Sequence, residues 1–215
     1  MAGIKKLFAD AAKLLYLGVG ISDPGTIPRK VDLWKIAAGT NWRCFNLTAS
    51  NLHHKGKEAV RLEASGGNAS SSGNSKSLAL FEAVELPVAK FDLSIAAINQ
   101  TAGLVIRATD QTQCEVVSFD VVANASSPKL TIRYGSSSAE VALPSHLVDE
   151  WINVRVVVDA LFTAVFINGK NMPDLKVPSD ANTGTGNFIG LWASGNSPAL
   201  VADLKYIQTR KRDFE

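Results

Sequence analysis

The sequence predicts an all-β protein, a two-sheet antiparallel β-sandwich with a short N-terminal helix. Three observations predict it. A dozen short runs rich in valine, isoleucine and aromatic residues recur along the chain. Clusters of glycine, serine and asparagine separate them. No long helical pattern lies between consecutive runs, which favours antiparallel sheets over βαβ units. The 215 residues are enough to bury a core, and 46% of them are hydrophobic. Lys+Arg 22 against Asp+Glu 20 leaves a net charge of +2, which argues against a dedicated nucleic-acid binder. No stretch approaches about 18 uninterrupted apolar residues, so no membrane-spanning helix is expected.

The first element is the helix. In residues 1–21, Ile4, Leu7, Phe8, Ala11, Leu14 and Leu15 recur at three-to-four spacing, with Lys5, Lys6, Asp10 and Lys13 on other sides. Its apolar face, residues 4–15, has three readings: docked on the domain, a poor secretory signal, or contact with a membrane surface. As a signal it is interrupted by Asp10 and Lys13. Gly18, Gly20, Pro24, Gly25 and Pro28 then end the helix. The domain organisation follows: 1–28 helix and linker, 29–210 sandwich.

The strands follow in order: VDLWKIA (31–37), AVRLEA (59–64), SLALFEAV (77–84), KFDLSIAAIN (90–99), GLVIRAT (103–109) and CEVVSFDVV (114–122). Then come KLTIRY (129–134), AEVAL (139–143), WINVRVVVD (151–159), LFTAVFING (161–169), NFIGLWA (187–193) and LVADLKYIQT (200–209). Some alternate cleanly, as Val60, Leu62 and Ala64 against Arg61 and Glu63. Others, such as WINVRVVV, are apolar on nearly every position, as central strands are. Asn168-Gly169 is a strong two-residue turn signal. The serine-rich stretch 65–77 reads as a flexible loop.

Metal and redox signals are weak. Cys44 and Cys114 lie seventy residues apart, too far for a C-x-x-C site, so two free thiols are expected, with a single disulfide as the alternative. His53, His54 and His146 show no metal-ligand spacing. The four Asn-x-Ser/Thr strings, at Asn46, Asn68, Asn99 and Asn124, carry no compartment information in a chain this rich in those residues.

Several segments, in this order, resemble the concanavalin A-like lectin/glucanase superfamily. That jelly-roll group includes laminin-G-like modules and the 3-keto-disaccharide hydrolase family. The pieces are FEAVELP (81–87) with FDLSIAAI (91–98), AGLVIRATD (102–110), EVVSFDV (115–121), EWINVRVVVDALFTAVFING (150–169), GNFIGLWASG (186–195) and ALVADLKY (199–206). The resemblance implies a jelly roll with one open concave face, a bias toward carbohydrate, and a secreted or periplasmic location. Folds host many functions, so it establishes no activity.

The residues themselves supply candidate ligand contacts. Alternation along GLVIRAT puts Arg107 on the face of Val105 and Thr109, opposite Leu104, Ile106 and Ala108. A mid-strand guanidinium needs water or an acceptor. Asp120, with Ser118, opposes Val117, Phe119 and Val121, and Glu82 interrupts SLALFEAV in the same way. Arg107, Asp120 and Glu82 therefore either form a sugar-binding cluster or make solvated cross-strand pairs. Trp34, Trp42 and Tyr134 are stacking-platform candidates with a structural role as the alternative, whereas Trp151 and Trp192 are expected in the core.

The enzyme reading meets an obstacle. Glucanases on this fold carry E-x-D-x-x-E on one strand, and this sequence has no such string. A usual glycosidase pair stands about 5–10 Å apart. Glu82 with Asp120 is the long-distance candidate. Calcium is possible on the loop residues Asp110, Asp174 and Asp180. Three functions remain: a carbohydrate-binding or adhesion module, a 3-keto-disaccharide-type glycoside hydrolase, or a structural domain self-associating through residues 4–15. The catalytic residues are unassigned, and no cofactor is expected.

Overall fold

Among the described residues, fifteen strands, one four-residue α-helix and a short 3-10 helix at Ser145–Leu147 build the protein. The computed structural model describes residues 29–65, 77–82, 88–111, 113–158, 162–178, 186–194 and 198–209. The expected N-terminal helix over 4–15, its linker to residue 28, and all but the ends of the serine-rich loop lie outside the described residues.

In chain order the elements are β1 (Arg29–Lys30), α1 (Trp34–Ala37), β2 (Arg43–Phe45), β3 (Leu47–His54), β4 (Lys57–Ala64), β5 (Leu78–Glu82), β6 (Val88–Ala96) and β7 (Gln100–Ala108). They continue with β8 (Glu115–Val122), β9 (Lys129–Tyr134), β10 (Ser137–Ala142), β11 (Trp151–Val158), β12 (Phe162–Ile167), β13 (Lys170–Pro178), β14 (Phe188–Ala193) and β15 (Ala199–Thr209). The strands form an 8-stranded sheet ordered β13-β12-β11-β6-β15-β4-β3, with β1 added on β15, and a 7-stranded sheet ordered β10-β9-β8-β7-β14-β5-β2. The paired strands run antiparallel.

Alternation explains why the two layers pack. β8 reads buried, half-buried, buried along its length, so Val117, Phe119 and Val121 point inward while Ser118 and Asp120 point out. Phe91, Leu93 and Ile95 of β6 and Ile152, Val154 and Val156 of β11 supply the facing half of the core, each at most 1% exposed. Turn chemistry pins the hairpins. Lys55-Gly56 and Asn168-Gly169 both take positive φ at both positions, as two-residue turns of the I′ kind require.

Two sequence expectations change. Residues 31–37, read as a strand, instead contain α1. Asp32 accepts a hydrogen bond from the Trp34 amide at 3.2 Å. Gly39 (φ 65) closes the helix, with its N–H on the Ile36 carbonyl and the Thr40 N–H on the Lys35 carbonyl. The apolar residues Val31, Leu33 and Ile36 are all buried, and seven residues are too few for their spacing to separate a strand from a helical turn. Strands β2, β3 and β13 were not expected. β3 (LTASNLHH) and β13 (KNMPDLKVP) are edge strands, which need no continuous apolar run and tolerate proline.

Between the sheets, Gln100 of β7 does the work of a backbone group. The β6–β15 ladder ends at Ile95↔Val201. One residue beyond, the Gln100 amide donates to the Ala96 and Leu200 carbonyls and accepts from the Leu200 N–H. Gln100 is 3% exposed, so those backbone groups have no water to replace it.

β15 also breaks register between Ala202 and Lys205. Asp203 takes φ 55 at that bulge and reaches Lys57 and Ser94 on the outer face of the 8-stranded sheet. Burial pushes the Asp203 carboxyl up, but the hydrogen bond and charge of Lys57, the charge of Lys205 and the Ser94 hydroxyl outweigh it, holding the group below its ordinary 3.8. A depressed folded value stabilises above the unfolded one. The contribution is therefore complete above about pH 4 and fades as the pH falls through the lowered folded value. Asp203→Asn should flatten the acid limb of a stability–pH curve while leaving its neutral and alkaline shape unchanged. An acid limb identical to that of the parent protein would show that Asp203 carries none of it.

Candidate functional site

A groove of about 660 Å³ runs along the open edge of the sandwich, a size typical of small-ligand sites. β1 and the segment through α1, carried on β15, supply one wall with Lys30, Asp32 and Lys35. β2, β5 and β14 supply the other with Arg43, Glu82 and Phe188, while Trp42, Phe81 and Tyr206 back it. Register explains the convergence. Arg43 pairs Leu80, and Glu82 pairs Phe188, so Arg43, Glu82 and Phe188 share one face across three neighbouring strands. Alternation sends Phe81 to the opposite face, where its ring meets Trp42 at 4.8 Å and Tyr206 at 6.0 Å.

The polar groups are arranged around those rings. Arg43 lays its guanidinium over Phe188, 4.8 Å from the ring centroid. Glu82, exposed, accepts from the Asn187 amide at 3.1 Å. Asp32 caps the Trp34 amide and lies 3.8 Å from the Lys35 ammonium, both side chains about half exposed. Such a surface pair is worth roughly 0–1 kcal/mol. The groove thus combines apolar ring edges with hydrogen-bonding groups that remain wet.

The residues singled out in the sequence are dispersed. Glu82 and Trp42 line the groove, although Trp42 is only 7% exposed and packs in the core. Tyr134 is 3% exposed and hydrogen-bonds Glu115. Asp120 stands half-buried on the outer face of β8, accepting from Thr101 Oγ1 at 3.1 Å. Thr101 pairs Asp120, whereas Ala108 pairs Phe188, which in turn pairs Glu82. Seven residues of β7 separate those points, so Glu82 and Asp120 lie roughly 20 Å apart, beyond the reach of a glycosidase pair.

Arg107 corrects the face assignment. Ala108 pairs Phe188 and Val105 pairs Gly190, so β7 carries one residue more than β14 over that span. This is a β-bulge, with Arg107 at φ 50. Val105 and Ala108 consequently share one outer cluster. Arg107, 15% exposed, lies 3.8 Å from Glu115, which is 8% exposed and shares the inward parity of Val117. Arg107, Glu115 and Tyr134 form an interior ionic cluster away from any open face.

The outer face of the 7-stranded sheet was expected to be polar in mid-strand. Only the β8–β10 half is. On β5, β7 and β14 it carries Leu78, Leu80, Val105, Ala108 and Trp192, all buried. Trp192 lies against Gly103, where an added Cβ would fall 2.9 Å from the indole. Trp151, expected in the core, is half-buried on the outer face of the other sheet, with Lys57 5.7 Å from its ring centroid.

No family model matches the chain, and no curated protein matches it by sequence. Among solved structures it is similar to the cellulose induced protein Cip1, with 12% identity and a TM-score of 0.51, covering 80% of this chain and 93% of that one. That similarity is one of fold, a jelly-roll β-sandwich of two antiparallel sheets. The carbohydrate binding module CBM66 from Bacillus subtilis is another similar structure (11% identity, TM-score 0.49, 79% of this chain and 96% of that one). A Bacillus licheniformis beta-glucanase is a third (12%, TM-score 0.46, 88% and 94%). Identities this low carry architecture and nothing of activity.

Within this jelly roll, no three His, Cys, Asp or Glu side chains converge as metal ligands among the described residues. Asp110, a calcium candidate, accepts from the Gln113 amide at 2.9 Å. Asp174 falls in β13, and Asp180 lies outside the described residues. Cys44 and Cys114 are free thiols, and burial pushes the Cys44 thiol up. No helix among the described residues is long and apolar enough to cross a membrane.

The groove residues that the sequence did not reveal include Asp32, Arg43 and Phe188, and Asn187 beside them on Glu82. Arg43 lies on a three-residue strand, and Phe188 opens the apolar strand β14. Neither carries a local motif. Their convergence depends on the β2–β5–β14 pairing, which joins segments far apart in sequence.

Proposed function

We propose that this jelly roll is a carbohydrate-binding module whose ligand lies in the groove between β1–α1 and β2–β5–β14. The observation that carries the reading is the combination of Phe81 and Phe188, half-buried, with the exposed groups Asp32, Glu82 and Arg43 lining one groove. Sugars present both apolar C–H faces and hydroxyl pairs. Aromatic edges desolvate the first, and carboxylate, amide and guanidinium groups hydrogen-bond the second. The Glu82–Asn187 contact offers an acceptor and a donor side by side, which suits a vicinal diol.

A second reading, a glycoside hydrolase, draws support from two carboxylates, Asp32 and Glu82, lining one groove. Both stand in water. A general acid needs a desolvated setting to stay protonated at neutral pH, so binding is placed first.

Calorimetric titration against an oligosaccharide panel tests both readings. Glu82→Gln and Phe188→Ala should each weaken binding about tenfold, equivalent to ~1.4 kcal/mol. Lys129→Ala, at the far edge of the same sheet, should leave it unchanged. Affinity preserved in both groove variants would remove the groove as the site. Glycoside cleavage that Glu82→Gln and Asp32→Asn both abolish would favour the enzyme.

A further inference from the structure

We infer that the glycan this groove takes is acidic, a uronic-acid-bearing chain whose carboxylate docks on Arg43. This rests on the groove being the sugar site. The groove is lined by three cations, Lys30, Lys35 and Arg43, and by two carboxylates, Asp32 and Glu82. Both carboxylates are already engaged, Asp32 by Lys35 and the Trp34 amide, and Glu82 by Asn187. Among the described residues no carboxylate stands within 4.0 Å of Arg43 or Lys30. The site therefore holds more donor charge than its own acceptors consume.

Geometry singles out Arg43 among the cations. Its guanidinium, on an exposed side chain, lies over the Phe188 ring. A guanidinium packed on a ring through its face keeps its in-plane N–H groups for a carboxylate, which it can bind through two parallel hydrogen bonds. Holding the fork beforehand reduces the ordering entropy lost when a ligand arrives. Lys30 and Lys35 on the opposite wall add an attractive field without that directionality. A neutral sugar would leave the Arg43 fork matched only to hydroxyls. A uronate matches it in both charge and shape.

The test uses oligogalacturonate, oligoglucuronate and oligomannuronate, each beside its carboxyl-reduced neutral counterpart, titrated at low and high salt. At low salt at least one acid form should bind about tenfold more tightly than its neutral counterpart, and the preference should shrink with added salt. Arg43→Gln and Arg43→Lys should both abolish the preference, so that acid and neutral forms bind alike, with the melting temperature unchanged. The lysine variant keeps the charge and loses the fork. Equal affinity for acid and neutral forms, or a preference that survives Arg43→Gln, overturns the inference. If the neutral forms bind with Phe188 dependence and no acid preference, the groove stands and its acidic specificity falls. If neither form binds, both fall.

Discussion

Gln100→Leu should lower the unfolding free energy by about 3 kcal/mol, because it strips partners from three buried backbone groups at once. The side chain is 3% exposed and closes the place where β6 and β15 separate, bonding the Ala96 and Leu200 carbonyls and the Leu200 N–H. Leucine has nearly the same volume, so cavity formation contributes little. What remains is the desolvation penalty of an unpaired N–H, about 1–3 kcal/mol, and a smaller loss at the two carbonyls, which keep further lone pairs. For a domain of this size that corresponds to a melting temperature lowered by ~6–12 °C. Thermal and urea denaturation measure it. A leucine variant as stable as the parent would show that the backbone at Ala96 and Leu200 satisfies itself without the amide.

Arg107→Met should cost a similar amount, about 3 kcal/mol, and should leave ligand affinity intact in the folded protein. The substitution leaves the Glu115 carboxylate, 8% exposed, without its ion-pair partner at 3.8 Å, although Tyr134 still donates to it. Removing one member of a buried pair is far more destabilising than removing both, since the survivor keeps its desolvation cost and loses the partner's attraction. The double variant Arg107→Met/Glu115→Gln should therefore recover most of the loss, giving a coupling of about 1–3 kcal/mol in a double-mutant cycle. Glutamine still accepts from the Tyr134 hydroxyl. Additive losses in the cycle would mean that the two groups do not interact. Weakened glycan binding with unchanged melting would return Arg107 to a ligand face.

Arg107 also marks where sequence reasoning reaches its limit. Strict period-two alternation places it beside Val105 on an open face, and that inference is sound for an unbroken strand. One extra residue in β7 reverses its side. The bulge is a property of the β7–β14 pair, visible only when Phe188 and Gly190 are seen to span Ala108 and Val105. Glu82 and Trp42 were found as candidates because charge in an apolar run and a lone indole are local signals. Arg43 and Phe188 were missed because each is ordinary in its own segment.

The chain by itself determined the all-β class, the positions of most central strands, the Asn168-Gly169 hairpin and the inward set Val117, Phe119 and Val121. These follow from side-chain alternation and turn conformations, which act over a few residues and are written directly in residue order. Tertiary structure alone decided the edge strands β2, β3 and β13, the helical turn at 34–37, the inward swing of Arg107 and the groove. Each of those depends on which distant strand lies alongside, and pairing between distant strands is settled by the burial and hydrogen bonding of the whole sandwich.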